Sequence, residues 1–258
     1  MKRIHIFFSL FFFLPFCTIA QNAAFIKSGK IYYEKRVNTY SLFTNLFKDS
    51  KDMWTDRMMD YYKQNNERFQ NTNFLLRFTE NKSQYAYIKE DSKSTFFFDM
   101  KEIAGQNSIV TDLKNSTVLA QKNMNTDSYE IADSLSKITW KITDEYREIA
   151  GFNCRRANGL LHDSIYVVAF YTDQIIPSVG PESLYGLPGA ILGAAMPHDY
   201  TTWFATKVIN EQQNETELIP QKGRYKKYNS YNSLYNDLKS VVKDWEQMGA
   251  FFLRRLML

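Results

Sequence analysis

The sequence contains few residues that could form covalent cross-links or bind metals. Of its 258 residues, two are cysteine and three are histidine. Two cysteines cannot form the framework of a disulfide-rich scaffold, and no histidine or cysteine pair has the short spacing typical of metal ligands. The sequence also lacks a glycine-rich phosphate loop and a GxSxG motif. We therefore expect no cofactor and no metal site, and we assign no catalytic residue.

Net charge is small as well, since 32 basic residues oppose 28 acidic ones. An excess of +4 over the whole chain is not typical of a dedicated nucleic-acid-binding protein, so we expect no nucleic-acid partner. Apolar and aromatic residues, in contrast, make up 44% and 16% of the chain. That content excludes an intrinsically disordered chain and predicts a folded core.

An apolar run at the N-terminus has the pattern of a secretory signal peptide. Lys2 and Arg3 precede the apolar run 6–16, and small residues lie just before a cut after Ala20. The run is shorter than the roughly 20 apolar residues that span a bilayer, although an uncleaved anchor is the alternative. The pattern predicts removal of residues 1–20.

The remaining chain, 21–258, is expected to form a single exported domain in the periplasm or at the cell surface. The bulky Phe16 directly before Cys17 argues against acylation of that cysteine, because small residues are expected there. No other segment is long and apolar enough to cross a membrane, so we expect a mature chain that does not span one.

The pattern of apolar residues predicts a mainly β (α+β) fold. From 73 to 172, short runs of alternating apolar and polar residues are separated by turns without intervening helices, which favours an antiparallel sheet. Helical spacing appears at 41–69 and again at 229–258, where Ser230 or Asn232 could serve as N-cap. We expect a curved antiparallel sheet or half-barrel, with an inserted helical segment near the N-terminus and a C-terminal helix.

One segment departs from this pattern. Half of all glycines and prolines of the chain lie between residues 177 and 197. Because proline restricts φ and glycine permits positive φ, the segment 176–193 is predicted to be a compact loop, and its apolar residues predict docking against the core. The residues of this structural motif are Pro177, Gly180, Pro181, Gly186, Leu187, Pro188, Gly189, Ala190 and Ile191.

The hexapeptide from Gly186 to Ile191 resembles the motif that names the GLPGLI family, with Ala190 where the family usually has leucine. The stretches 140–157 and 170–181 and the strand that begins at Gly29 also resemble that family. The resemblance implies an exported protein of Bacteroidetes-type Gram-negative bacteria. It also implies frequent proximity to outer-membrane transporters, and it implies no established activity.

Two polar residues are candidates for function. Cys154 lies on a predicted strand beside two arginines, and His198 directly follows the loop. The favoured interpretation is a non-catalytic envelope protein that binds a hydrophobic ligand or a partner protein. The alternatives are a structural accessory of an outer-membrane transporter and an envelope enzyme that uses Cys154 or His198.

Overall fold

The computed structural model describes residues 25–50, 52–88, 106–124, 127–162 and 164–258. The predicted signal peptide, with Cys17 and the cut after Ala20, lies outside these residues. In the described part of the chain, no helix combines the length and the apolar character needed to cross a membrane.

Twelve strands form one open, curved sheet. The strands are β1 (Gly29–Asn38), β2 (Phe69–Phe78), β3 (Lys82–Tyr87), β4 (Ser108–Asp112), β5 (Thr117–Met124), β6 (Asp127–Ser134), β7 (Thr139–Ile149), β8 (Phe152–Leu161), β9 (Ile165–Thr172), β10 (Ala190–Met196), β11 (Thr201–Asn210) and β12 (Lys226–Tyr228). Their order is β12-β6-β5-β4-β3-β2-β1-β11-β10-β9-β8-β7. Neighbours are antiparallel except β12, which runs parallel to β6. The predicted fold class, a mainly β curved antiparallel sheet with helices, is confirmed.

Four helices and two short 3-10 turns accompany the sheet in the described residues. The helices are α1 (Thr39–Leu46), α2 (Met53–Asn65), α3 (Tyr231–Val241) and α4 (Glu246–Met257), and the 3-10 turns are Pro197–Asp199 and Glu215–Glu217. The side chain of Asp52 caps α2, and Ser230 caps α3 by accepting a hydrogen bond from the backbone N–H of Ser233.

The segment predicted as helical, 41–69, contains two helices but ends earlier than expected. β2 begins at Phe69, and Gln70 already pairs with Val37 of β1. After Phe69, residues 70–73 are all polar. They form a strand through backbone pairing with β1, and no alternation of apolar and polar residues marks them in the sequence.

The predicted C-terminal helix, 229–258, is a hairpin of two helices. α3 ends at Val241 and α4 begins at Glu246. Gly249 of α4 lies against the carbonyl oxygen of Val242, where a Cβ atom would overlap it. The close approach explains why a glycine is present there. The predicted loop 176–193 is also shorter than expected, because Ala190–Met196 forms β10.

Odd-numbered residues of β1 define the inner face of the sheet, which carries the core. Ile31, Tyr33, Lys35 and Val37 are all buried on this face. The Gly/Pro loop and the α3–α4 hairpin cover it. The opposite face of β3 and β5 is covered by the segment 211–225, in which backbone carbonyl groups accept hydrogen bonds from glutamine side chains of both strands.

Candidate functional site

The Gly/Pro loop, residues 177–189, is docked on the inner face. Val179, Leu184 and Leu187 are each only 2% exposed. Gly186 and Gly189 adopt φ values of 94° and 136°, in the range that favours glycine. The apolar side chains of the loop are therefore packed in the core.

Trp140 of β7, the edge strand next to β8, contacts the loop. Its indole Nε1 donates a hydrogen bond to the carbonyl oxygen of Tyr185 at 2.9 Å. The indole ring lies against Gly159 of β8, where any side chain would overlap it. The loop and the last two strands of the sheet are therefore held together by one aromatic side chain.

Glu182 is the polar centre of the loop, and sequence reasoning did not identify it. Its Oε1 lies 2.9 Å from Nζ of Lys35, and its Oε2 lies 3.5 Å from Nζ of Lys122. Asn107 donates a hydrogen bond from Nδ2 to Oε2 at 2.8 Å. All four residues are buried. Lys35 on β1 and Lys122 on β5 are far apart in sequence, and the sheet places both on its inner face.

The protonation of this cluster follows from burial and from the mutual charges. Burial alone would raise the pKa of Glu182, but the charges of Lys35 and Lys122 outweigh it and lower the pKa to about 2. Burial lowers the pKa of Lys35 to about 8, against the opposing effect of Glu182. At neutral pH, Glu182 is an ionised carboxylate that joins the loop to β1 and β5.

A second ionic group connects the turn after β10 to α4. Asp199, fully buried, has Oδ1 2.9 Å from Nη2 of Arg254. The next residue, Arg255, is 3% exposed and donates a hydrogen bond from Nη2 to Oγ1 of Thr201 at 2.6 Å. Burial lowers the pKa of Arg255, whereas the charges of Asp199 and Glu182 raise it. The two ionic groups therefore interact electrostatically.

The two candidate residues, Cys154 and His198, are not brought together. Cys154 is fully buried on β8, and burial raises the pKa of its thiol to about 12. His198 is exposed in the turn Pro197–His198–Asp199. Tyr171 of β9 pairs with both Arg155, next to Cys154, and Ile191 of β10. His198 is seven residues beyond Ile191, which corresponds to roughly 20 Å along the strand direction.

Three adjoining depressions form a groove beside α1 and α4, which we call the basic groove. Their volumes are about 760, 430 and 540 Å³. The first two share Ile165 and Arg254 in their walls, and the last two share Asn45 and Lys48. The cationic wall residues are Lys48, Lys63, Arg68, Lys239, Lys243 and Arg254, joined by His162 and His198.

The walls of the basic groove have little negative charge. Among the described residues that line it, Asp199 is the one acid, and it is buried and paired with Arg254. The largest depression is also lined by the apolar side chains of Ile165, Val242, Leu253 and Met257. The groove thus combines a cationic rim with an apolar floor.

The described residues hold no cluster of three or more histidine, cysteine, aspartate or glutamate side chains placed to bind a metal ion. The candidate site comprises the docked loop, the buried ionic cluster and the basic groove.

No family model and no curated protein matches the chain. Two solved structures of PNGF-II are similar to it. The structure in space group P21 has a TM-score of 0.50 at 15% identity over 82% of this chain, and the one in C2 has 0.50 at 16% over 86%. The chain spans about a third of PNGF-II, 32% and 33% of the two structures. At this identity, the likeness shows a shared fold alone.

Proposed function

We propose that this protein is an exported, non-catalytic envelope protein of the GLPGLI type that its motifs resemble, and that it binds an acidic segment of a partner envelope protein in the basic groove. The observation that carries the proposal is the charge of the groove wall. Six lysine and arginine residues line it against a single acid among its described residues, and since that acid pairs with Arg254, five cations face no acid in the wall.

The groove cations come from separate parts of the chain. Lys63 lies on α2 and Lys239 on α3, while Lys48 and Lys243 lie just beyond α1 and α3, and all four are exposed. The whole chain is nearly neutral, so a random part of its surface would carry both positive and negative charges. The clustering of cations in the groove is therefore informative. An array of exposed cations attracts carboxylates and orients a partner during encounter.

The apolar floor specifies the partner further. Leu253 and Met257 are buried on α4 and, with Ile165, form part of the wall of the largest depression. A partner segment that alternates carboxylates with apolar side chains would place its carboxylates against the cationic rim and its apolar side chains against the floor. A segment of an outer-membrane transporter is one such partner, which would give the accessory role that the family resemblance suggests.

The environments of Cys154 and His198 support a binding role over a catalytic one. A thiol is reactive as its thiolate, and burial keeps Cys154 protonated at neutral pH. The two residues are also too far apart for His198 to act as its base. His198 lies on the wall of the basic groove, where it adds a polar group to the binding surface.

The test uses a fluorescein-labelled peptide of about twelve residues that alternates glutamate and leucine, roughly 40 Å long when extended. We expect saturable binding by fluorescence anisotropy, weakening as salt rises and screens the exposed charges. The double variant Lys239→Glu/Lys243→Glu should bind at least about tenfold more weakly, a loss of about 1.4 kcal/mol. Lys114→Glu, in the exposed β4–β5 turn, is the control and should bind like the unmodified protein.

The same assay contains the outcomes that would overturn the proposal. Equal binding of a glutamine–leucine peptide would show that charge is not recognised. Equal binding of heparin would indicate a non-specific polyanion surface. Tight binding of an uncharged lipid probe that is unaffected by the double variant would instead favour the hydrophobic-ligand interpretation.

A further inference from the structure

Several hydrogen-bond donors in and beside the buried ionic cluster have no acceptor among the described protein groups. Nε and Nη1 of Arg255 have no hydrogen-bond partner, and neither does Nζ of Lys122, which is near Glu182 without the geometry of a hydrogen bond. Both side chains are almost fully buried. A buried donor without a partner costs about 1–3 kcal/mol, and more when it is charged, so such groups in a folded protein usually contact a water molecule or an ion.

The charges in this region also fail to balance. Lys35, Lys122 and Arg255 are buried cations, and Glu182 and Asp199 are the buried carboxylates of the described residues. Asp199 is already paired with the partly exposed Arg254, so positive charge is in excess among these buried groups. Isolated buried charges are strongly unfavourable unless a counterion or a hydrogen-bonding partner accompanies them.

The position of the unpartnered donors defines one region. Lys122 lies on the inner face of β5, while Arg255 reaches the same face from α4 through its hydrogen bond to Thr201 of β11. Thr201 pairs with Val37, two residues from Lys35. The backbone N–H of Ser183, next to Glu182, donates to the carbonyl oxygen of Leu258, three residues beyond Arg255. The end of α4 that carries Arg255 therefore adjoins the loop residue Glu182, which in turn lies 3.5 Å from Lys122.

We infer that the interior between Lys122, Arg255 and the Glu182 loop binds one small inorganic anion, taken up as the chain folds. The donors are a guanidinium edge and an ammonium group, which suit the oxygens of an oxyanion or a halide. Oδ2 of Asp199 and Oδ1 of Asn107 also lack partners, and an oxyanion that carries a hydroxyl group, such as bicarbonate or hydrogen phosphate, could donate to one of them. The anion would stabilise the attachment of the loop to the sheet.

Anion-dependent stability tests this inference. The full mature chain is unfolded and refolded in sodium gluconate, whose anion is too large to be buried there. Chloride, bicarbonate or phosphate is then added at constant ionic strength. We expect one of the small anions to raise Tm by about 5 °C, which corresponds to binding at roughly 100 times its Kd. Equal Tm values in all four salts would overturn the inference.

Two variants distinguish a specific site from a general salt effect. Lys122→Met removes one of the unbalanced cations while keeping the length of the side chain, so it should raise Tm in gluconate and abolish the added effect of the small anion. Lys114→Met removes an exposed charge and should leave the anion effect unchanged. An anion effect that persists in Lys122→Met would contradict the site.

Crystals grown in bromide provide a second measurement that does not depend on the variants. We expect an anomalous peak within about 3.5 Å of the Arg255 guanidinium and the Lys122 ammonium group. A water molecule at this position, or a carboxylate from residues 89–105, would overturn the inference.

Discussion

Arg254 and Arg255 are consecutive residues of α4 with opposite surroundings. The side chain of Arg254 is 35% exposed, lines the basic groove and pairs with Asp199. Arg255 is 3% exposed and donates to Thr201 on the inner face of the sheet. Successive residues of an α-helix differ by about 100° around its axis, so one helix supplies cations to both regions. The comparison separates two environments of positive charge, the buried attachment of the loop and the exposed wall of the groove where we propose that a partner binds.

Replacing Glu182 should cause the largest loss of stability, because this carboxylate is the partner of buried cations in the interior. Glu182→Gln leaves Lys35 and Lys122 buried without their carboxylate, and we expect a loss of about 3–5 kcal/mol in the free energy of unfolding. Urea unfolding followed by tryptophan fluorescence measures the loss.

Glu80→Gln is the matched control for this substitution. Glu80 pairs with Lys27 at 2.9 Å, and both side chains are more than half exposed. An exposed pair contributes about 1 kcal/mol or less, so this variant should unfold close to the unmodified protein. Equal losses in the two glutamine variants would show that burial makes no difference to these ion pairs.

Acid should act on the same interior cluster. The pKa of Glu182 is lowered from its ordinary value of 4.5 to about 2 in the folded protein. Its stabilising contribution, about 3 kcal/mol, is therefore complete above about pH 4.5 and is lost as pH falls towards 2. The difference in Tm between the unmodified protein and Glu182→Gln should narrow over this range. A constant difference would contradict the assignment of Glu182 as ionised.

The loop that carries Glu182 contains two glycines that test its attachment separately. At Gly189, a Cβ atom would overlap the carbonyl oxygen of Thr172, and φ is 136°. At Gly186, the nearest atom is Nε1 of Trp140 at 3.3 Å, and φ is 94°. We expect Gly189→Ala to cost about 2–3 kcal/mol and Gly186→Ala about 1 kcal/mol, by urea unfolding. A reversed order would mean that the loop is not held against β9 as described.

Periodicity and turn residues sufficed to predict most of the fold. The alternation in β2 from Phe74 onwards and the continuous apolar run in β9 mark strands, and Ser230 marks the start of α3. The boundaries were less predictable, because the polar start of β2 is held by backbone pairing and Ala190 continues the loop motif directly into β10.

The candidate site was much less predictable. Lys35 falls at an inward position between Tyr33 and Val37, which is a local signal of a buried charge. Its partner Glu182 is 147 residues away in the sequence, and Lys122 and Arg255 come from other elements again. Contacts of this kind depend on strand order and register, which no local pattern contains. The basic groove was missed for the same reason, since its cations are scattered along the chain.

Charge reversal in the basic groove should have the smallest effect on stability, in contrast to substitutions in the interior. Lys239 and Lys243 are exposed, so reversing their charges removes no buried partner. Lys239→Glu/Lys243→Glu should change the free energy of unfolding by less than about 0.5 kcal/mol per substitution, because surface substitutions rarely exceed this. The same double variant is expected to bind the acidic peptide poorly. Urea unfolding and anisotropy on one preparation would show whether binding and stability separate. A double variant that loses both together would mean that the groove cations hold the α3–α4 hairpin in place, as Glu182 holds the loop.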